Sequence, residues 1–144
     1  MQRINLQEVA PEGFDLVLKL EGYVRRRVEK KLLHLVKLRA SVINGCTYCV
    51  DMHSQDAIEE GESTRRLFAV AAWHEAPFFD ERERAALALT DSVTRLGEGG
   101  VPDDVWDGAA KVFTQEEVAD LLIAIATINV WNRIAIPSRT PPPA

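Results

Sequence analysis

Apolar residues recur at three- and four-residue spacing along most of the chain, and no stretch alternates with period two for long. That pattern predicts helices and no sheet. A first helix runs from about Pro11 into the arginines at 25–27, with Phe14, Val17 and Leu18 at helical spacing. A second covers roughly Val28 to Ile43, with Leu32, Leu35 and Val36 on one side, until Asn44-Gly45 interrupts it as a turn or cap signal. A third begins near Cys46 and ends by Gly61, and a fourth spans about Ser63 to Trp73. Asp80 and Glu83 form a D-x-x-E capping pair that opens a fifth, with Leu89, Val93 and Leu96 in line before "GEGG" ends it. Pro102, at a first-turn position, opens a short sixth with Val105, Trp106 and Ala109. Thr114 and Glu117 make another capping box, and a very apolar last helix follows. From Pro137 onward, "PSRTPPPA" reads as an extended or frayed tail. The expected fold is therefore all-α, a bundle of six to seven helices, forming one domain over residues 1–144. The last helix is apolar on more than one face, which places it centrally or at a subunit interface, the interface being preferred.

The chain has 144 residues, long enough to bury a core without staples. Its 47% hydrophobic content suits a globular protein. With 22 acidic and 17 basic residues the net charge is -5, poor footing for nucleic-acid binding, so no nucleic-acid partner is expected. The one basic run, Arg25 to Lys31, reads as a solvated helix face. No secretory signal is visible, and no apolar run approaches the roughly 20 residues of a membrane helix. "VADLLIAIATINVW" is interrupted by Asp120 and Asn129. A cytoplasmic location without membrane attachment is expected, and there a close cysteine pair is more often redox-active or metal-binding than structural.

Such a pair is present. "NGCTYCVDMH" at 44–53 holds the only two cysteines, with a histidine four residues beyond the second. On a helix, Cys46, Cys49 and His53 share one stripe. A helix starting near Cys46 places that residue where free N–H groups and the positive end of the dipole favour a thiolate. A free cysteine is only about 3% thiolate at pH 7, and reaching half requires roughly 2 kcal/mol of differential stabilisation. The thiolate attacks a peroxide or a disulfide, and a second thiol three residues away can close on the resulting sulfenic acid. A histidine beside them can take up and return protons near neutral pH. Two other readings stay open: two buried small hydrophobes, or a zinc site built from Cys46, Cys49, His53 and His34.

"LVKLRASVINGCTYCVDMH" resembles the core of the alkylhydroperoxidase D (AhpD) family, within the wider carboxymuconolactone decarboxylase-like superfamily. The segments from Gly61 to Leu96 and from Phe113 to Ile136 are similar to the following parts of its short members, so the resemblance covers roughly residues 14 to 136. It implies a helical AhpD-like fold and a thiol peroxidase that needs no cofactor and no metal. It also implies a homo-oligomer, trimer or hexamer, and a hydroperoxide substrate with an external dithiol as reductant. By the same resemblance Cys49 is the peroxidatic residue, Cys46 the resolving one and His53 the proton relay. The dipole alone favours Cys46 as attacker, whereas His53 lies one turn from Cys49 and two from Cys46.

The family's relay glutamate, twelve residues before the first cysteine, is replaced here by His34, and Tyr48 stands between the cysteines. Both are candidate site residues, and His34 is expected to leave activity in place with an altered pH profile. His74 is expected at the surface or at a helix end. Asn44 is expected in a turn, Arg39 and Ser41 in structural roles, and Trp73, Trp106 and Trp131 in packing. A lyase or isomerase like the decarboxylase branch, or a zinc-bearing or redox-sensing interaction module, are the competing functions.

Overall fold

The computed structural model describes residues 1–144 as eight α-helices and one 3₁₀ turn, with no strand. In chain order they are α1 (Leu6–Val9), α2 (Pro11–Arg27), α3 (Lys30–Asn44), α4 (Thr47–Glu59), α5 (Thr64–Ala69), the 3₁₀ turn Val70–Ala72, α6 (Glu81–Thr94), α7 (Asp103–Val112) and α8 (Gln115–Ser138). The all-α AhpD-like expectation holds, with one more helix than the pattern predicted. The addition is α1, a single turn capped by the Asn5 side chain and without a buried residue, so it leaves no apolar period to read.

Both predicted capping boxes are formed in full, at Asp80/Glu83 and at Thr114/Glu117. Each satisfies two N–H groups that would otherwise lack partners at a helix start. Pro102 is the N-cap of α7 rather than its first residue. Leu96 falls beyond the end of α6 and is exposed. The expected tail starts two residues later than the sequence suggests, because Pro137 and Ser138 continue α8. The Ser138 hydroxyl donates to the Ile134 carbonyl, and the Arg3 backbone N–H donates to the Ser138 carbonyl at 2.8 Å.

Helix α3 runs through the centre, packed against α4, α6 and α8. On one side Leu32, Leu33 and Val36 join Val24, Leu89, Leu121 and Ile125. On the other Leu35 and Leu38 join Leu67, Val70, Trp73, Phe79 and Leu87. Each large side chain buried there contributes about 1.5–3 kcal/mol. Helix α8 is long and apolar enough to cross a membrane by length and composition. Here it packs against α2, α3, α4, α6 and α7 instead, which accounts for its apolar character on more than one face. Asp120, a charge within the apolar run, is used inside the fold: its carboxylate accepts from Tyr23 at 2.8 Å and from Arg27 at 3.3 Å, joining α8 to α2.

Candidate active site

The site begins where α3 stops. Gly45 has φ +71°, a left-handed conformation that a Cβ would strain, and the N–H groups of Gly45 and Cys46 donate back to Val42 and Ser41. The chain thereby turns straight into α4. Cys46 is the N-cap of α4, not a residue of its first turn, and its Sγ accepts from the Cys49 N–H at 3.3 Å. Cys46 and Cys49 form a disulfide, with their Cα atoms 5.3 Å apart. Both are almost fully buried, together with Ala135 of α8.

The two cysteines face different spaces. Cys49 lines a cavity of about 470 Å³ with His53, Glu21 and Tyr48, walled by apolar side chains that include Phe14, Leu18, Met52 and Trp131. Phe14 and Trp131 meet edge to face, ring centres 5.5 Å apart, and join α2 to α8 there. Cys46 lines two shallower hollows with Gly45 and Thr47, and neither of these includes Cys49. Tyr48 borders both the Cys49 cavity and one of those hollows.

His53 is 2% exposed, and its Nε2 has no hydrogen-bond partner. Burial, and after it the positive charges of Lys37, Arg25 and His34, push its pKa down from 6.5 to about 3. The imidazole is therefore neutral at pH 7.

His34 stands on the far side of His53. Its Nε2 lies 2.9 Å from a Glu60 carboxylate oxygen, in a charged hollow lined also by Lys30, Lys37, Asp56 and His53. The carboxylate that reaches the Cys49 cavity comes from α2 instead: Glu21, 7% exposed, is ion-paired with buried Lys37 and accepts from Arg25 Nε at 3.3 Å. Burial pushes the Lys37 ammonium pKa down, and the hydrogen bond to Glu21 opposes it. Sequence spacing passed over Glu21, which precedes a basic run and reads as one more surface charge. The missing signal is three-dimensional, since its partner Lys37 belongs to the next helix.

Three further residues act as frame. Asn44 is a cross-link as well as the end of α3: its amide donates to Asn129 and Asn132 of α8, each at 2.9 Å, and Asn132 donates to Ser41. Arg39 grips Asp91 through two contacts and donates to the Val70 and Ala71 carbonyls. His74 is exposed and stacked on Trp73. Trp106 is 43% exposed, so packing does not hold it fully as expected. No group of three or more His, Cys, Asp or Glu side chains is gathered closely enough to hold a metal ion. The zinc arrangement considered from the sequence is thus not assembled, since the sulfurs are bonded to each other and His34 turns to Glu60.

The profile of the carboxymuconolactone decarboxylase family matches residues 11–92, from α2 through the cysteine pair and into α6. The chain belongs to that family. Within it, the uncharacterised protein YdfG of Bacillus subtilis is 36% identical over 136 residues, covering 94% of this chain and 92% of that protein. A crystal structure from Agrobacterium tumefaciens superposes with a TM-score of 0.97 at 41% identity, covering all of this chain and 99% of the other. That protein is of unknown function and has been proposed to be an antioxidant defence protein AhpD. The debrominase Bmp8 in complex with 2,3,4-tribromopyrrole has a TM-score of 0.84 at 18% identity, covering 96% of this chain and 74% of that one, a likeness of fold alone. In this family member the cysteine pair sits at a helix start, with one cysteine lining a cavity of mixed apolar and polar walls and the other lining separate hollows.

Proposed function

We propose that the protein is a thiol-dependent peroxidase and disulfide oxidoreductase that acts on hydroperoxides, with Cys49 as the attacking residue, Cys46 as the resolving one and an external dithiol as reductant. The observation that carries this reading is the position of Cys49, which lines the cavity together with His53 and is disulfide-bonded to Cys46. The helix start and the Cys49 N–H stabilise negative charge at Cys46, yet a peroxide in the cavity shared with His53 meets Cys49. The shared cavity with His53 supports Cys49 as the attacker.

The reduced Cys49 thiolate attacks the terminal oxygen of R–O–OH. The O–O bond breaks, the sulfur becomes a sulfenic acid, and the alkoxide takes up the proton that the thiol gave up. A neutral imidazole both donates and accepts, so His53 passes that proton along. Cys46 then attacks the Cys49 sulfur, and the sulfenic oxygen leaves as water once protonated. The external dithiol reduces the disulfide through a mixed disulfide, and both cysteines return as thiols. His34 and Tyr48 border this site, and we assign His34 to the charged hollow on the other side of His53, where it meets Glu60.

We place this chemistry in a homo-oligomer. Leu16 and Leu20 on α2 and Phe68 on α5 are exposed apolar side chains, and assembly would cover them. The deciding assay follows peroxide consumption with dithiothreitol as donor. Cys49→Ser is expected at the uncatalysed rate, while Cys46→Ser retains one turnover and accumulates a sulfenic acid that dimedone traps. Consumption by Cys49→Ser at the wild-type rate removes this reading.

A further inference from the structure

Cys49 is 1% exposed and His53 2%, so a reactant larger than water reaches the sulfur only if part of the cavity wall moves. Most of that wall is core helix, from α2, α4 and α8, each of which carries buried residues. The remainder comes from the two chain ends: Gln2, Asn5, Leu6 and Gln7 before α2, and Thr140 and Pro141 after α8. The tail is tied down, since the Thr140 N–H donates to the Ala135 carbonyl at 3.0 Å and its hydroxyl lies 2.9 Å from that of Ser138. The front of the chain is held more lightly. Helix α1 is a single turn with no buried residue, and Met1, Ile4 and Val9 on either side of it and at its end are exposed. Segments with so few buried apolar contacts open at the low end of a protein's range of local stability.

Two hydrogen bonds tie this stretch to α8, and both come from Arg3. Its backbone N–H donates to the Ser138 carbonyl at 2.8 Å, and its Nη1 donates to the Pro137 carbonyl at 3.3 Å. Both acceptors are among the last four carbonyls of α8, which have no partner within the helix, and the negative end of the helix dipole suits a guanidinium. Behind this latch lies a pivot. Ala10, at φ -134° and ψ 64°, is the one residue between α1 and α2 and departs from helical geometry. Pro11, which follows, has no N–H with which to continue α1.

We propose that residues 1–9 are a hinged strap over the Cys49 cavity, latched by Arg3 to the end of α8 and pivoting at Ala10, whose release admits reactants to Cys49. Opening leaves Cys46 as it is, because the hollows that Cys46 lines are bordered by none of residues 1–9. Dependence on the strap grows with the size of the reactant, since a larger one needs more of the wall displaced. Control of turnover rests on the peroxidase reading; control of thiol access does not.

The test follows alkylation of the reduced protein by iodoacetamide and by the bulkier pyrene maleimide, with Cys46 and Cys49 read separately by tandem mass spectrometry. Deletion of residues 2–9 removes the strap, and Arg3→Glu sets a carboxylate against the α8 carbonyls. In the deletion, Cys49 is expected to react with the maleimide about tenfold faster than in the wild type, with a smaller gain for iodoacetamide. Arg3→Glu falls between the two proteins, and Cys46 keeps its wild-type rate throughout. Peroxide turnover rises in the same order, more for cumene hydroperoxide than for hydrogen peroxide. Because residues 1–9 include none that is buried, both variants keep the helical circular dichroism of the wild type.

Wild-type reactivity of Cys49 in both variants overturns the strap and leaves the peroxidase reading standing. So does an equal gain at Cys46, which marks a general loosening, and so does a deletion that fails to fold, which makes the stretch part of the bundle. A gain confined to Cys49 in a protein that consumes no peroxide keeps the strap and overturns the peroxidase reading.

Discussion

At the residue scale, His53 links the site to stability. Its imidazole carries a proton in the unfolded chain below about pH 6.5, but in the fold burial and the Lys37 and Arg25 charges hold the pKa at about 3. Between those values the unfolded state binds more protons, so stability falls as pH falls. Lowering the pH from 7 to 5 should cost about 2 kcal/mol through this one group. Urea denaturation at the two pH values measures it, and His53→Gln is expected to lose that increment while keeping the contribution of the carboxylates. An equal pH dependence in the variant would show that His53 is not held neutral. Cys46 teaches a different lesson at this scale. Its spacing to Cys49 and His53 was legible, because i, i+3 and i+4 positions share a face wherever a helix forms. Which cysteine meets the cavity was not legible, because the far wall comes from α2 and α8.

At the scale of elements, the capping boxes, the Asn44-Gly45 stop and the apolar stripes were readable because each is satisfied within a few residues of chain. Asn44 shows the limit. Its sequence neighbourhood announces a turn, but its amide also ties the end of α3 to Asn129 and Asn132 across more than eighty positions. Asn132 is fully buried. Asn44→Ala should cost about 1–3 kcal/mol in denaturant unfolding, the usual penalty for stranding buried polar partners. Asn44→Asp should cost more, since it sets a carboxylate against two amide oxygens where a donor stood. An Asp variant as stable as the wild type would mean that the α3–α8 link carries no weight. Because the cysteine pair starts two residues later, the Ala variant should also slow turnover.

For the whole molecule, the exposed Leu16, Leu20 and Phe68 lie on α2 and α5, outside both main core clusters. Light scattering at micromolar concentration is expected to give a mass that is a multiple of 16.1 kDa, and Leu16→Glu to reduce it. A monomer throughout would refute the assembly proposed above. Two spaces meet at His53 and Arg25: one also takes in Cys49, Glu21 and apolar side chains, the other Lys30, His34, Lys37, Asp56 and Glu60.

The sequence by itself determined the helices, most of their ends, and the presence of a paired thiol with a histidine one turn on. Those features rest on contacts between residues three or four apart, which any folded version of the chain must make. Only the tertiary structure decided that α8 packs against five helices of its own chain, that Cys46 and Cys49 line different spaces, and that Glu21 rather than a residue of α3 brings the carboxylate to the cavity. Each of these depends on how α2, α3 and α8 cross. Helix crossing is set by the fit of whole surfaces, and local spacing carries no record of it.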